Sequence, residues 1–258
     1  MAAAKLAANR SPYYVKQLRS YLSLFARSLP GVRVGEVTAA NLAAWLASRA
    51  HSPLSKRTGI FALRALFTFA RKNRWRENDP TGELELPSVD LKPPPILTVP
   101  QARQIMQQAP VELRGYLVLC LFCGLRPSET HRIQWGDVDI ERGVVTVRIS
   151  KVRRWRMVPI PANAAAWLRP TAKPEGLVAP ALPKVTRWRG TVPAWFGRRL
   201  KQDELRHTAA SYLLAREQDA GKVATWLGNS PAVLLTHYRE LVSKEAAAEF
   251  FNILPPPC

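Results

Sequence analysis

Apolar residues recur every three or four positions in PYYVKQLRSYLSLFARSL (12–29) and TGIFALRALFTFARKNRW (58–75), with arginines and lysines filling the intervals. Between these runs, VTAANLAAWLASRA (37–50) repeats the helical spacing behind Thr38, a residue suited to an N-cap. The spacing predicts a small basic helical bundle over residues 1–88. The pattern then stops. ENDPTGELELPSVDLKPPPILTVPQ (77–101) holds four prolines between Pro87 and Pro95, which bar a helix and favour an extended connector. A domain boundary with a linker at 89–96 is expected there.

Helical signals resume at VPQARQIMQQA (99–109) and in an apolar helix over 113–124. In GLRPSETHRIQWGDVDI, Gly124 suits the end of that helix, Pro127 the start of the next, and Glu129 falls in its first turn. GVVTVRISKVRRWRMVPIP (143–161) switches to a period of two, with Val145, Val147 and Ile149 on one face and a second short run from Met157 to Ile160. This is a hairpin candidate with VRRWR at its turn. Residues 162–200 read as irregular and rich in proline and tryptophan, and helical pattern returns from about 203 to 251. The fold class expected is mainly α with a small antiparallel β-sheet (α+β), a helical N-terminal domain preceding a larger domain over 97–258.

Charge narrows the partners. The 258 residues carry 38 Lys plus Arg against 19 Asp plus Glu, a formal net charge of +19 spread along the whole chain. A polyanion is the implied partner. The longest apolar run, GYLVLCLFCGL (115–125), is too short to span a bilayer, and the N-terminus lacks the continuous apolar stretch of a secretory signal. The expectation is a soluble, cytoplasmic protein that binds nucleic acid and no membrane. Cys120 and Cys123 form a CxxC inside the apolar run, with no histidine cluster beside them, and read as packing residues. Asp137, Asp139 and Glu141 lack the surroundings of a calcium loop, so no metal is expected.

LGNSPAVLLTHYREL (227–241) supports two readings. A helix, a turn at Asn229-Ser230-Pro231 and a second helix carrying Tyr238 would make a helix-turn-helix DNA reader. Alternatively Tyr238 is a nucleophile toward DNA phosphate. A phenol ionises near pH ~10, so that chemistry needs fixed positive donors for the phosphate oxygens and an acid for the leaving alkoxide. Arginine forks and a lysine would supply both. Arg126 sits at a junction of two helices, Lys151 follows the alternating strand, and Arg206 opens a helix anchored by Leu205, Ala209 and Leu213.

GLRPSE, the strand lysine Lys151 ahead of RWRMVPIP, LRHTAASYL, LGNS and THY together resemble, in order, the successive boxes of the tyrosine recombinase (phage integrase) family. The resemblance covers 97–258, and more loosely the helical N-terminal part, which is similar to that family's core-binding domain. It implies that Tyr238 attacks the scissile phosphate to give a 3′-phosphotyrosyl link and a free 5′-hydroxyl. Arg126 and Arg206 would hold the phosphate, Lys151 would be the general acid, and Glu129 would buttress the site. It implies no cofactor, a double-stranded DNA substrate, and a tetramer of protomers on two DNA sites. The C-terminal KEAAAEFFNILPPPC is a candidate arm for a neighbouring protomer.

Two positions depart from the family. Asp203 stands where it carries histidine, three residues before Arg206, and Asn229 where it carries histidine or tryptophan. Asp203 suits an N-cap and lies one helical face from Arg206, so a contact between them is expected, while His207 is expected to point about 100° away. Asn229 suits either a turn or a phosphate contact. Both departures point to an attenuated rate. The alternatives are a catalytically weakened or inactive DNA-binding protein on the same scaffold and, more distantly, a helix-turn-helix regulator. Phage integration, mobile-element movement and chromosome resolution are all compatible purposes.

Overall fold

Side chains that satisfy helix ends set the first boundaries. In the computed structural model, which describes residues 1–49, 52–89, 93–149, 154–238 and 241–256, the chain divides into two units, Met1–Asp90 and Leu91–Cys258. The first contains α1 (Ala2–Ala7), α2 (Pro12–Ser28), α3 (Ala39–Ser48) and α4 (Pro53–Lys72). Ser11, Thr38 and Ser52 each accept a hydrogen bond from the third backbone N–H of their helix, and Thr38 forms a reciprocal capping box with Asn41. These helices bury Phe25, Leu42, Trp45, Ile60, Leu63 and Phe67, with Phe25 and Trp45 edge to face at 5.2 Å. Arg76 Nη1 donates to the carbonyls of Val34 (3.2 Å) and Val37 (2.9 Å), tying the chain after α4 to the α2–α3 loop.

The second unit holds α5 (Val99–Gln108), α6 (Val111–Leu121), α7 (Pro127–Thr130), strands β1 (Val138–Asp139), β2 (Val144–Ile149) and β3 (Arg154–Pro159), then α8 (Ala162–Leu168), α9 (Leu182–Phe196), α10 (Glu204–Glu217), α11 (Ala220–Leu227), α12 (Pro231–Tyr238) and α13 (Lys244–Phe251). The strands form an antiparallel sheet in the order β1-β2-β3, with Val145 opposite Val158 and Val147 opposite Arg156. The architecture is mainly α with a small antiparallel sheet. Residues from Gly115 to Leu121 are all buried, which is why α6 reads as apolar all round. Cys120 and Cys123 lie within that core as free thiols, and burial pushes the Cys120 thiol up to about 12. Among the described residues no helix is long and apolar enough to cross a membrane.

One expectation changes. Residues 162–200, read as irregular, contain α8 and α9, because Val185, Trp188 and Val192 keep a helical spacing beneath the prolines and bury one side of α9. Pro183 costs nothing in the first turn, and Pro193 lies only three residues from the end of α9. The terminal arm packs on its own unit. Phe250 stacks on Tyr212 at 4.0 Å and the Trp167 indole N–H donates to the Ile253 carbonyl at 2.9 Å. The acidic run is likewise engaged by arginines, Asp137 by Arg148 at 3.0 Å and Glu141 by Arg169 at 3.4 Å.

Gly124 joins α6 to the turn ahead of α7 with φ +70°, and a β-carbon there would collide with the Leu227 side chain and press on Ala209. Gly124→Ala is expected to cost about 2–4 kcal/mol, from left-handed strain plus overpacking, read as a lower urea midpoint at an unchanged m-value.

Candidate active site

The turn after α6 sets the first arginine. Arg126 is extended (φ −67°, ψ 142°) ahead of Pro127, so its side chain leaves α7 at the N-terminal end. Glu129, in the first turn, reaches back to accept from the Arg126 backbone N–H at 2.9 Å and from its Nη1 at 3.1 Å. The same carboxylate takes both terminal nitrogens of Arg156, from β3, at 3.1 and 2.8 Å. Arg156 is only 8% exposed. One carboxylate therefore fixes two guanidiniums in fork geometry.

Helix α11 supplies the other half of the cradle. Its last carbonyls face the cluster: Trp226 accepts from Arg156 Nε (2.7 Å), Leu227 from Arg206 Nη2 (2.6 Å) and Gly228 from Arg126 Nη2 (3.0 Å). The negative end of a helix is a natural cation site. Gly228 (φ +64°) permits the close approach, since a β-carbon there would lie 3.3 Å from the Arg156 guanidinium carbon. Arg206, from the first turn of α10, also donates to the Gly124 carbonyl at 2.6 Å. Asn229 Oδ1 then bridges the two family arginines, accepting from Arg126 Nη2 at 2.7 Å and Arg206 Nη2 at 3.1 Å. Asn229 is thus more than a turn residue.

Burial, reinforced by the charges of Arg126 and Arg156 and opposed by Glu129, pushes Arg206 down to about 10, so it remains a cation at neutral pH. Burial also pushes Glu129 up. The Arg156 hydrogen bonds, the Arg126 backbone N–H and both guanidinium charges outweigh it and hold Glu129 below the usual carboxylate range.

Tyr238 ends α12, is 6% exposed, and sets its hydroxyl 2.7 Å from His207 Nδ1. Burial raises its pKa, with Asp203 adding to the rise and Arg206 and Arg126 opposing it. Asp203 corrects an expectation. It occupies the residue before α10 with left-handed φ +56°, its side chain makes no cap bond, and among the described residues it forms no ion pair with Arg206. Its short polar side chain tolerates that backbone region, and its carbonyl accepts the His207 N–H at 2.8 Å. Lys151 falls outside the described residues.

Two residues escaped the sequence reading. Arg156, which the sequence placed in the VRRWR turn, lies instead in β3, two positions from inward-facing Val158, so period-two alternation places it on the buried face. His207, expected to point away, meets Tyr238 through the packing of α12 on α10, which no local pattern encodes.

Arginine forks beside a buried tyrosine can hold an oxyanion and present a phenol to it. The family model described as the phage integrase family matches residues 95–181. The tyrosine recombinase XerD of Proteus mirabilis is 29% identical over 223 residues, 75% of this chain and 71% of that protein. The tyrosine recombinase XerC of Xanthomonas campestris pv. campestris (strain B100) is 29% identical over 212 residues, 75% of this chain and 66% of that one. Among solved structures, a lambda integrase dimer bound to a COC′ core site shares the fold with TM-score 0.73 at 17% identity, covering 92% of this chain and 94% of that one. The Tn1549 transposon integrase in complex with a circular intermediate DNA does so with TM-score 0.70 at 16% identity, covering 96% of each chain. The chain is therefore similar to the phage integrase family over residues 95–181 and to tyrosine recombinases over three quarters of its length.

Because its folded pKa is depressed, Glu129 contributes stability that is present above its unfolded pKa of about 4.3 and lost as pH falls through the lower folded value. Glu129→Gln is expected to lose about 2–4 kcal/mol at neutral pH by leaving Arg156 buried without its countercharge. Urea unfolding across the acid range is expected to show the gap from the unmodified protein closing below about pH 4.

Proposed function

We propose that this protein is a tyrosine recombinase, a DNA strand-exchange enzyme that cuts and rejoins double-stranded DNA at specific sites through a 3′-phosphotyrosyl intermediate on Tyr238. The observation that carries this reading is the convergence of Arg126 and Arg206 on one atom, Asn229 Oδ1, with α12 and its Tyr238 beginning two residues later. Among the described residues, one carboxylate pairs with Arg126 and Arg156 while Arg206 is held by backbone carbonyls, so the cluster has positive charge to spare for a phosphate. Arg126 and Arg206 hold the non-bridging oxygens, the Asn229 amide N–H groups donate to the same phosphate, and Glu129 keeps the forks aimed. Lys151 protonates the departing 5′-oxygen. The link conserves the energy of the phosphodiester, so rejoining needs no nucleotide and no metal.

Residues 1–88 act as a second DNA-binding domain, joined through 89–96 to the catalytic domain at 97–258, and together they clamp the duplex in the cytoplasm. The net charge of +19 makes that grip strongly salt-dependent. A lambda integrase tetramer bound to a Holliday junction shares this fold with TM-score 0.72 at 16% identity, which supports four protomers on two sites. A helix-turn-helix regulator is disfavoured, because the turn between α11 and α12 is occupied by its bonds to Arg126 and Arg206.

Incubation with nicked suicide substrates carrying the cognate site is expected to trap a denaturation-resistant protein–DNA adduct that Tyr238→Phe abolishes. Specific binding without an adduct would instead identify a non-catalytic DNA-binding protein.

A further inference from the structure

The phenol that is to attack phosphorus must lose a proton, and its own environment opposes that loss. Burial raises Tyr238, and Asp203 adds to the effect against Arg206 and Arg126. Asp203, three residues before Arg206, makes no side-chain cap bond to its helix. What does touch the hydroxyl is His207, with Nδ1 at 2.7 Å from the phenolic oxygen and the two rings tilted by 35° at 5.8 Å. His207 follows Arg206 on α10, so the carbonyls of Gly124 and Leu227 that pin the arginine also fix the helix turn that carries the imidazole.

A contact this short holds one proton between the two atoms. Burial lowers His207, and the groups around it divide: Asp203 and Glu204 raise it, Arg206 and His237 lower it. The net result is a neutral ring at neutral pH, and a neutral ring protonated on Nε2 presents a lone pair at Nδ1. Asp203 then has a use that neither a cap nor a phosphate contact gives it, because its carboxylate favours the imidazolium that forms when His207 gains a proton.

Building on the reading of Tyr238 as nucleophile, we propose that His207 is the general base for this tyrosine, taking the hydroxyl proton on Nδ1 as the phenolic oxygen attacks the phosphorus. In that step the oxygen–phosphorus bond to Tyr238 forms, the bond from phosphorus to the 5′-oxygen breaks, and the departing oxygen is protonated by a separate acid. In rejoining, the 5′-hydroxyl attacks, the bond to Tyr238 breaks, and the imidazolium returns its proton to the phenolate.

The test measures adduct formation on suicide substrates against pH, between about pH 5 and pH 9, for the full chain and for His207→Ala and His207→Asn, with Tyr238→Phe as the blank. Both His207 variants are expected to react about 100-fold more slowly while binding DNA normally. Asparagine keeps a polar group within reach of the hydroxyl but cannot accept its proton at these pH values. The unmodified protein is expected to show an acid limb of one proton that both variants lack, and imidazole in the buffer is expected to restore part of the alanine variant's rate. A Tyr238-dependent adduct that forms in His207→Asn at the unmodified rate and with the same acid limb would overturn the proposal and leave the bond as a packing contact. A faster rate in His207→Ala would overturn it too, marking the histidine as a restraint on the tyrosine. Absence of any Tyr238-dependent adduct in the unmodified protein would remove the underlying function. Should the alanine variant unfold, the asparagine variant decides the matter.

Discussion

Three guanidiniums packed together, with one carboxylate bonded to only two of them, is the constraint from which the rest of the site follows. Arg126 and Arg156 share Glu129 Oε1, and Arg126 and Arg206 share Asn229 Oδ1, so each pair of nitrogens lies within about 6 Å. Two unit charges at that distance repel by about 3 kcal/mol at an effective dielectric near 20. Glu129 offsets one of the three charges, and the rest of the compensation comes from dipoles, the carbonyls of Trp226, Leu227 and Gly228 at the end of α11 and that of Gly124 after α6. Helix directions, two left-handed glycines and a strand arginine all serve this arrangement.

The functional consequence is preorganisation. Under the proposed function, the donors are aimed before any substrate arrives and their repulsion is already balanced by fixed dipoles, so an arriving phosphate adds an interaction without a rearrangement. The turn that receives the arginines also launches α12, and hence Tyr238, so the nucleophile takes its position from the same backbone that aims the donors. Any displacement of the α11 end moves both.

What was legible in the sequence was local. Thr38 announces a helix start that the structure keeps, and Val145 and Val147 announce a strand whose buried face they form. Arg126, Glu129, Arg206 and Asn229 were visible through motif order, and these four come together. The rest depended on context. α9 hid behind Pro183 and Pro193, although Val185, Trp188 and Val192 carried its period. Arg156 sat in a run of arginines, and only the register of β3 distinguishes the buried one. Asp203 reads as an N-cap by residue type, whereas its backbone takes the left-handed region and turns the side chain away from that task. The contact between His207 and Tyr238 joins two helices 31 residues apart and belongs to packing alone.

The division of labour inside the site also decides where pH can act. Arg206, even pushed down to about 10, keeps its charge at neutral pH, and Glu129, held below the usual carboxylate range, keeps its own. The phosphate cradle is therefore electrostatically constant around neutrality. His207 and Tyr238 are displaced in opposite directions by the same burial, the imidazole down and the phenol up, which keeps both neutral and leaves one shared proton between them. A constant cradle beside a proton-sharing pair separates binding from activation. Under the proposed function, the arginines hold the phosphate whatever the state of the tyrosine, and readiness to attack is set by the fate of a single proton.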